Sequence, residues 1–279
     1  MLSVRRITFL QQAQDFKAEC DQLHDLLAPC DDAVFQWETQ FKGWTINDVI
    51  GHLHMFNVAA RYALEDEARF DDFIAPVVAD LKQGKPMLAS QYVWLDGLEG
   101  RALFETWRDE CAATAASYGA TDPKQRIKWV GPDMSARSSI TARQMETWAH
   151  GQEIFDRLGQ HRTDQDRIKN IAHLGVSTFG WTFINRKQEV PQPAPHVVLT
   201  APSGAIWEWN EPQADNRVEG PATDFCQVVA QTRNVADTAI ITSGEPATTW
   251  MAIAQCFAGK PNDPPAPGKR HVVAASDPS

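Results

Sequence analysis

Apolar positions recur at helical spacing through the first two-thirds of the chain, and at strand spacing only after it. From residue 8 to 28, Leu10, Ala13, Phe16, Leu23 and Leu27 approximate a 3.6-residue period between polar and acidic positions, predicting an amphipathic helix closed by Pro29 and Asp31-Asp32. Thr45 and Asp48 form a capping-box-like pair, opening a helix with Val49, His52, Leu53, Phe56, Ala60 and Leu64 on one stripe. On that wheel His52 lies at the edge of the inward face and His54 points away from it. Helices are predicted over 66–83 and 98–117, a loop over 119–139, and a helix from Ser139 or Thr141 to Leu158. One further helix is predicted over 164–186.

The run 187–195 holds three prolines in five residues and predicts an extended linker. Beyond it the period shortens. Strands are predicted at 197–200, 205–209 and 238–242, and helices at 222–232 and 246–258. The pattern predicts an α+β protein: a helical bundle over 1–187, a small α+β domain over 196–259, and a disordered or loosely draped tail over 260–279. No internal repeat is present.

Composition narrows the function classes. The 279 residues carry a formal net charge of -10, which argues against binding a nucleic-acid backbone. The five cysteines are scattered with no CxxC, as for free thiols in a reducing compartment. Arg5 and Arg6 precede a run that turns polar too soon for a signal peptide, and no apolar run is long enough to span a membrane. The expectation is a cytoplasmic protein with a small-molecule substrate. Oligomeric state is not legible, and a homodimer through a bundle face is compatible with the pattern.

The chemistry rests on His52, Glu146 and His150. Glu146 and His150 are four apart and share one helix face. Two imidazoles and one carboxylate make an open divalent-metal ligand set. Taken singly, each residue reads otherwise: His52 as a hydrogen-bonded core histidine, Glu146 and His150 as a solvated face opposite the Met145, Trp148, Phe155 and Leu158 stripe. Trp148 points away from the two and is expected to pack the bundle. Trp44, just before the N-cap, is a candidate staple on the helix it precedes.

The stretch Trp44-Thr-Ile-Asn-Asp-Val-Ile-Gly-His52-Leu resembles the W-T-x-x-D-x-x-x-H-L signature of the mycothiol-dependent maleylpyruvate isomerase-like family, within the DinB-like metal-binding bundles. Glu146-Thr-Trp-Ala-His150-Gly-Gln-Glu-Ile resembles its second signature, E-x-x-x-H-G-x-D. Stretches at His173, Gly220 and Trp250 are similar to a subgroup of uncharacterised members, so the resemblance spans most of the chain. It implies a DinB-like four-helix core and a metal held by His52, Glu146 and His150. It also implies a catalytic arginine, for which Arg233 is the nearest match; a surface arginine at a helix end is the alternative. Glu153 stands where the family commonly shows Asp, either reaching a ligand imidazole or lying solvated.

The implied cofactors are a divalent metal (zinc first, with nickel, manganese or iron able to occupy the same ligands) and a low-molecular-weight thiol. Mycothiol follows from the resemblance, and glutathione or bacillithiol fits the same electrostatics. The expected activity is a thiol-dependent isomerase or S-transferase acting on a small electrophilic carboxylic acid. A metal-dependent hydrolase and a non-enzymatic metal-stabilised binding module are the alternatives; for the latter, Trp207, Trp209 and Trp250 are the hint of an apolar ligand, against a plain core role.

Overall fold

The structure is a computed structural model that describes residues 9–274. Arg5, Arg6, the start of the first predicted helix and the last five tail residues lie outside the described residues. The chain divides into two compact units, Met1–His150 and Gly151–Ser279. The linker read at 187–195 falls inside the second unit, and the division itself falls within one long helix. The α+β class read from the pattern is the observed class.

In the first unit, α1 (Gln11–Leu27), α2 (Ile46–Glu65), α3 (Glu67–Lys82), α4 (Met87–Leu95) and α5 (Gly100–Gly119) precede a two-residue ladder and α6 (Ala136–Arg157). The ladder pairs β1 (Arg126–Ile127) with β2 (Met134–Ser135) inside the stretch predicted to be loop. Helix α2 is the hub, packing against α3, α4 and α5, while α1 packs against α5. The core between them holds Phe16, Leu23, Val49, Ile50, Leu53, Phe104 and Trp107, all 1% exposed or less. Trp148 is fully buried, as expected.

Helix α2 starts where the sequence says it should. Thr45 Oγ1 accepts from the Asp48 amide at 3.1 Å and Asp48 Oδ2 accepts from the Thr45 amide at 2.9 Å, a complete capping box. Helix α4 is not legible in the sequence. Met-Leu-Ala-Ser-Gln-Tyr-Val-Trp-Leu is short and has no polar stripe to set a period. It matters because it covers the far side of α2. Gln91 Nε2 donates to the Asp48 carbonyl at 2.9 Å, and the Tyr92 hydroxyl donates to Asp48 Oδ1 at 2.6 Å. That bond to a carboxylate, with partial burial, pushes the Tyr92 phenol up to about 12. The same helix explains why His54 is not on an outer face. It is 6% exposed, with its ring 5.1 Å from that of Trp94, and burial pushes its pKa down to about 4.

Tyr118 ties three helices together. Its hydroxyl on α5 donates to the Ala60 carbonyl on α2 at 2.9 Å and shares a 2.8 Å bond with Ser139 Oγ on α6. This seats α6, the bearer of Glu146 and His150, against the hub.

In the second unit the helix predicted over 164–186 is interrupted. A 3-10 turn leads into α7 (Lys169–Ser177), and α8 (Phe179–Asn185) follows after Thr178. Thr178 Oγ1 bonds back to the Leu174 and Gly175 carbonyls at 2.8 and 3.0 Å, the kind of local competition that bends a helix. A four-stranded sheet follows, made of β3 (His196–Thr200), β4 (Ile206–Trp209), β5 (Arg217–Pro221) and β6 (Ile241–Ser243), in spatial order β4-β3-β5-β6. Only the β3–β5 pairing is parallel, with Val197 opposite Val218. Strand β5 escapes a reading by period because Gly220 and Pro221 spoil its alternation. Helices α9 (Ala222–Val229) and α10 (Glu245–Ile253) complete the unit. Trp250 is core: it is 1% exposed, its ring 5.1 Å from Phe179 and 5.7 Å from Phe225.

The proline-rich run and the tail are irregular yet tethered. Asn210, Gln213 and Asn216 donate side-chain amide hydrogens to the Pro195, Ala194 and Pro193 carbonyls at 2.7–2.9 Å. In the tail, Asn262 donates to Gln231, Gly268 to Asp237, and the Val273 amide to the Asp156 carbonyl. Up to residue 274 the tail is therefore draped and pinned, with no helix or strand.

Because the capping box sets where α2 begins, Thr45→Ala is expected to lower stability by about 1 kcal/mol. Urea unfolding followed by circular dichroism measures this; an unchanged midpoint would show that the cap contributes nothing.

Candidate metal centre

Helix α2 carries His52, and α6 carries Glu146 and His150 one turn apart. The fold brings them together: one ligand atom from each lies within 4.8 Å of the others. His52 Nε2 is 3.8 Å and His150 Nε2 3.4 Å from Glu146 Oε2. These separations, with a shared carboxylate oxygen facing two imidazole nitrogens, suit a divalent ion between them. The His52 and His150 side chains are 13% and 12% exposed and Glu146 is 26% exposed, so the cluster is recessed but open on the carboxylate side.

The protonation states also fit. Burial pushes His52 down to about 4, against the pull of Glu146, so the ring is neutral at pH 7 and Nε2 can offer a lone pair. Burial would raise the Glu146 carboxyl, but its bonds to His150 and His52 and the charge of Arg143 outweigh that and hold it well below the usual range. One feature departs from well-braced metal histidines. Among the described residues His52 Nδ1 is buried without a hydrogen-bond partner, so aromatic packing holds the ring in place of a bonded partner.

That packing comes from a tight turn before α2. Lys42 and Gly43 adopt positive φ of 56° and 67°, and the Trp44 amide closes on the Phe41 carbonyl at 2.9 Å. The turn presents Phe41 and Trp44 to the ligands. Phe41 meets His150 edge-on at 5.0 Å, and Trp44 stacks on His150 at 6.1 Å and meets His52 at 5.4 Å. Phe56, one turn after His52, adds a ring at 4.8 Å. Trp44, a candidate staple in the sequence, thus walls the candidate ligands.

The other candidate residues lie in the second unit. Arg233 is no surface arginine: it is 8% exposed, its Nη2 donates to Asp156 Oδ1 at 2.6 Å and its Nη1 to the Thr232 carbonyl at 2.9 Å. Glu153 is not solvated either. It is 1% exposed and accepts from Arg270 Nη1 at 2.9 Å, so its described partner is a guanidinium of the tail. Burial, with Asp156 adding to it and Arg270 and Arg233 opposing, pushes Glu153 up to about 7. Arg270 has no counterpart among the residues singled out in the sequence, because a tail residue carries no periodic signal.

The geometry and the fold together are those of a helical-bundle protein with a candidate open three-ligand site. The profile of the mycothiol maleylpyruvate isomerase N-terminal domain matches residues 16–155, and the chain belongs to that family. Two uncharacterized proteins of Mycobacterium tuberculosis, from strains CDC 1551 and H37Rv, are each 36% identical over 247 residues, covering 88% of this chain and 95% of theirs. A crystal structure of the mycothiol-dependent maleylpyruvate isomerase aligns with a TM-score of 0.53 at 17% identity, covering 85% of this chain and 94% of that one. A histidine-to-alanine mutant of the same enzyme aligns equally well, at 16% identity. At such identity these two alignments speak for the fold.

Glu153 supplies a pH test. Its folded-state pKa of about 7 lies above the ordinary carboxyl value of 4.5. The folded protein therefore binds the extra proton between these values, and stability falls as pH rises from about 4.5 to 7. Glu153→Gln is expected to flatten that slope, gaining up to about 3 kcal/mol on the parent between pH 5 and pH 8. Paired urea titrations across this range check it; parallel curves would refute the buried-acid assignment.

Proposed function

We propose that the chain is a divalent-metal protein that binds a low-molecular-weight thiol and acts on a small electrophilic carboxylic acid, as an isomerase or S-transferase. The observation that carries this is the convergence of His52 Nε2, His150 Nε2 and Glu146 on one point. Family membership supports it: the family is named for a mycothiol maleylpyruvate isomerase, and the aligned crystal structure is that of a mycothiol-dependent enzyme of this kind. Zinc suits two imidazoles and a carboxylate; nickel, manganese or iron fit the same donors.

When bound, the ion supplies Lewis acidity that favours the deprotonated form of a thiol or water near neutral pH. The chain's residues do the rest. Glu146, His52 and His150 would hold the ion with positions left free. Phe41, Trp44 and Phe56 fix the ring planes and keep bulk water from the imidazole edges, which favours an organic thiol over hydrolysis. Arg233 is the proposed catalytic arginine. Its Nη2 is committed to Asp156, so a bidentate grip on a substrate carboxylate requires that pair to open or share. No helix among the described residues is long and apolar enough to cross a membrane. A reducing cytoplasm is the proposed setting, given five free cysteines.

Protein purified without a metal-affinity column is expected to carry about one equivalent of metal, lost in His52→Ala and His150→Ala with circular dichroism unchanged. The cobalt-loaded parent should develop a thiolate-to-cobalt absorption band on titration with mycothiol. Absence of metal after reconstitution would end the reading. Metal uptake with no thiol band but measurable esterase activity would favour the hydrolase alternative, and a closed site with neither would favour the binding module.

A further inference from the structure

Arg143 is a buried arginine on the polar face of α6. It is 4% exposed, one turn before Glu146 on α6. A buried guanidinium is costly unless its charge and its hydrogen atoms are both answered. Its hydrogen bonds go to α2: Nε donates to Asn57 Oδ1 at 2.9 Å and Nη2 reaches the Leu53 carbonyl at 3.4 Å. Both acceptors are neutral. Asn57, fully buried, in turn donates to Cys111 Sγ at 3.4 Å, so its amide is oriented with its oxygen toward the arginine. Among the described residues no carboxylate bonds Arg143. The carboxylate whose charge reaches it is Glu146, three residues on and on the same helix face.

The position of these acceptors is informative. Leu53 follows His52 directly, and Asn57 lies one turn beyond Leu53 on α2. The arginine therefore joins the helix that bears one candidate ligand to the helix that bears the other two. We infer that Arg143 is the positioning residue and built-in counter-charge of the three-ligand centre. It pins α6 to α2 beside His52, and it offsets the Glu146 charge so that a divalent ion held there keeps its pull on an incoming anion. This rests on the metal reading proposed above. Imidazoles that donate lone pairs to an ion carry no charge of their own, so Glu146 and Arg143 sum to zero and the centre presents the full charge of the ion to a thiolate or carboxylate. A site with the carboxylate alone would present one charge less.

The test uses the full chain loaded with cobalt and titrated with thiocyanate as the probe anion, followed by the visible spectrum, with metal affinity measured by chelator competition. Arg143→Gln keeps a hydrogen-bond donor and removes the charge; it is expected to retain cobalt and to bind thiocyanate about tenfold more weakly. Arg143→Lys keeps the charge and should stay within about threefold of the parent. Asn57→Asp sets a carboxylate against the intact arginine and should weaken the anion as Arg143→Gln does; it carries the test if Arg143→Gln fails to fold. Equal thiocyanate affinity in the parent and both charge-altering variants, with cobalt retained, would overturn the inference alone. So would Arg143→Lys behaving as Arg143→Gln. Failure of the parent to take up cobalt would overturn the metal reading and this inference with it.

Discussion

Enclosure of α2 is the constraint on which the first unit depends. A helix covered on one side can rotate or slide by part of a turn and still bury its apolar stripe. A helix covered all round cannot, because every rotation exposes one packed residue and overpacks another. Helices α3, α4 and α5 cover α2, and α6 is fastened to it through Tyr118, Ser139 and Arg143. The capping box sets its start and Gln91 anchors its first turn from α4. With origin and azimuth both set, His52 has one direction available, and it is toward Glu146.

The candidate centre shows how a buried polar cluster is made tolerable. Burial holds the His52 ring neutral, the Glu146 carboxyl is held well below its usual range, and a buried guanidinium sits one turn from that carboxylate. Each element answers another: burial favours a neutral His52, the rings and the arginine favour the charged carboxylate, and the aromatic turn at Phe41–Trp44 holds the rings where, among the described residues, no hydrogen bond reaches His52 Nδ1. The second unit repeats the theme with Asp156–Arg233 and Glu153–Arg270, two buried carboxylates each met by an arginine from an irregular segment.

Sequence and structure agree most where a local signal is sufficient. The start of α2 follows from Thr45, Asp48 and the stripe from Val49, and α3 and α5 fall within about two residues of the ranges their periods predict. The β3–β4 hairpin follows from its alternation and the Ala201–Gly204 turn. They disagree where the local signal is silent or misleading. Helix α4 has no polar face, β5 has a glycine and a proline, and Thr178 divides one predicted helix into two. His54, placed outward by its helical wheel, and Glu153, read as either reaching a ligand imidazole or lying solvated, are inside because a neighbour invisible to the wheel covers them: α4 with Trp94 for one, the pinned tail with Arg270 for the other.

By itself the sequence determined the α+β class, the period-based helices and three candidate metal ligands, because these depend on side-chain type and on spacing within one element. Only the tertiary structure decided that the three converge, that Trp44 and Phe41 wall them, and that Arg143 lies buried beside Glu146. Each of those facts is a distance between elements far apart in the chain, set by which faces the packed core leaves no room to turn. Helical spacing brings Glu146 and His150 onto one face; it takes the enclosure of α2 to bring His52 to them.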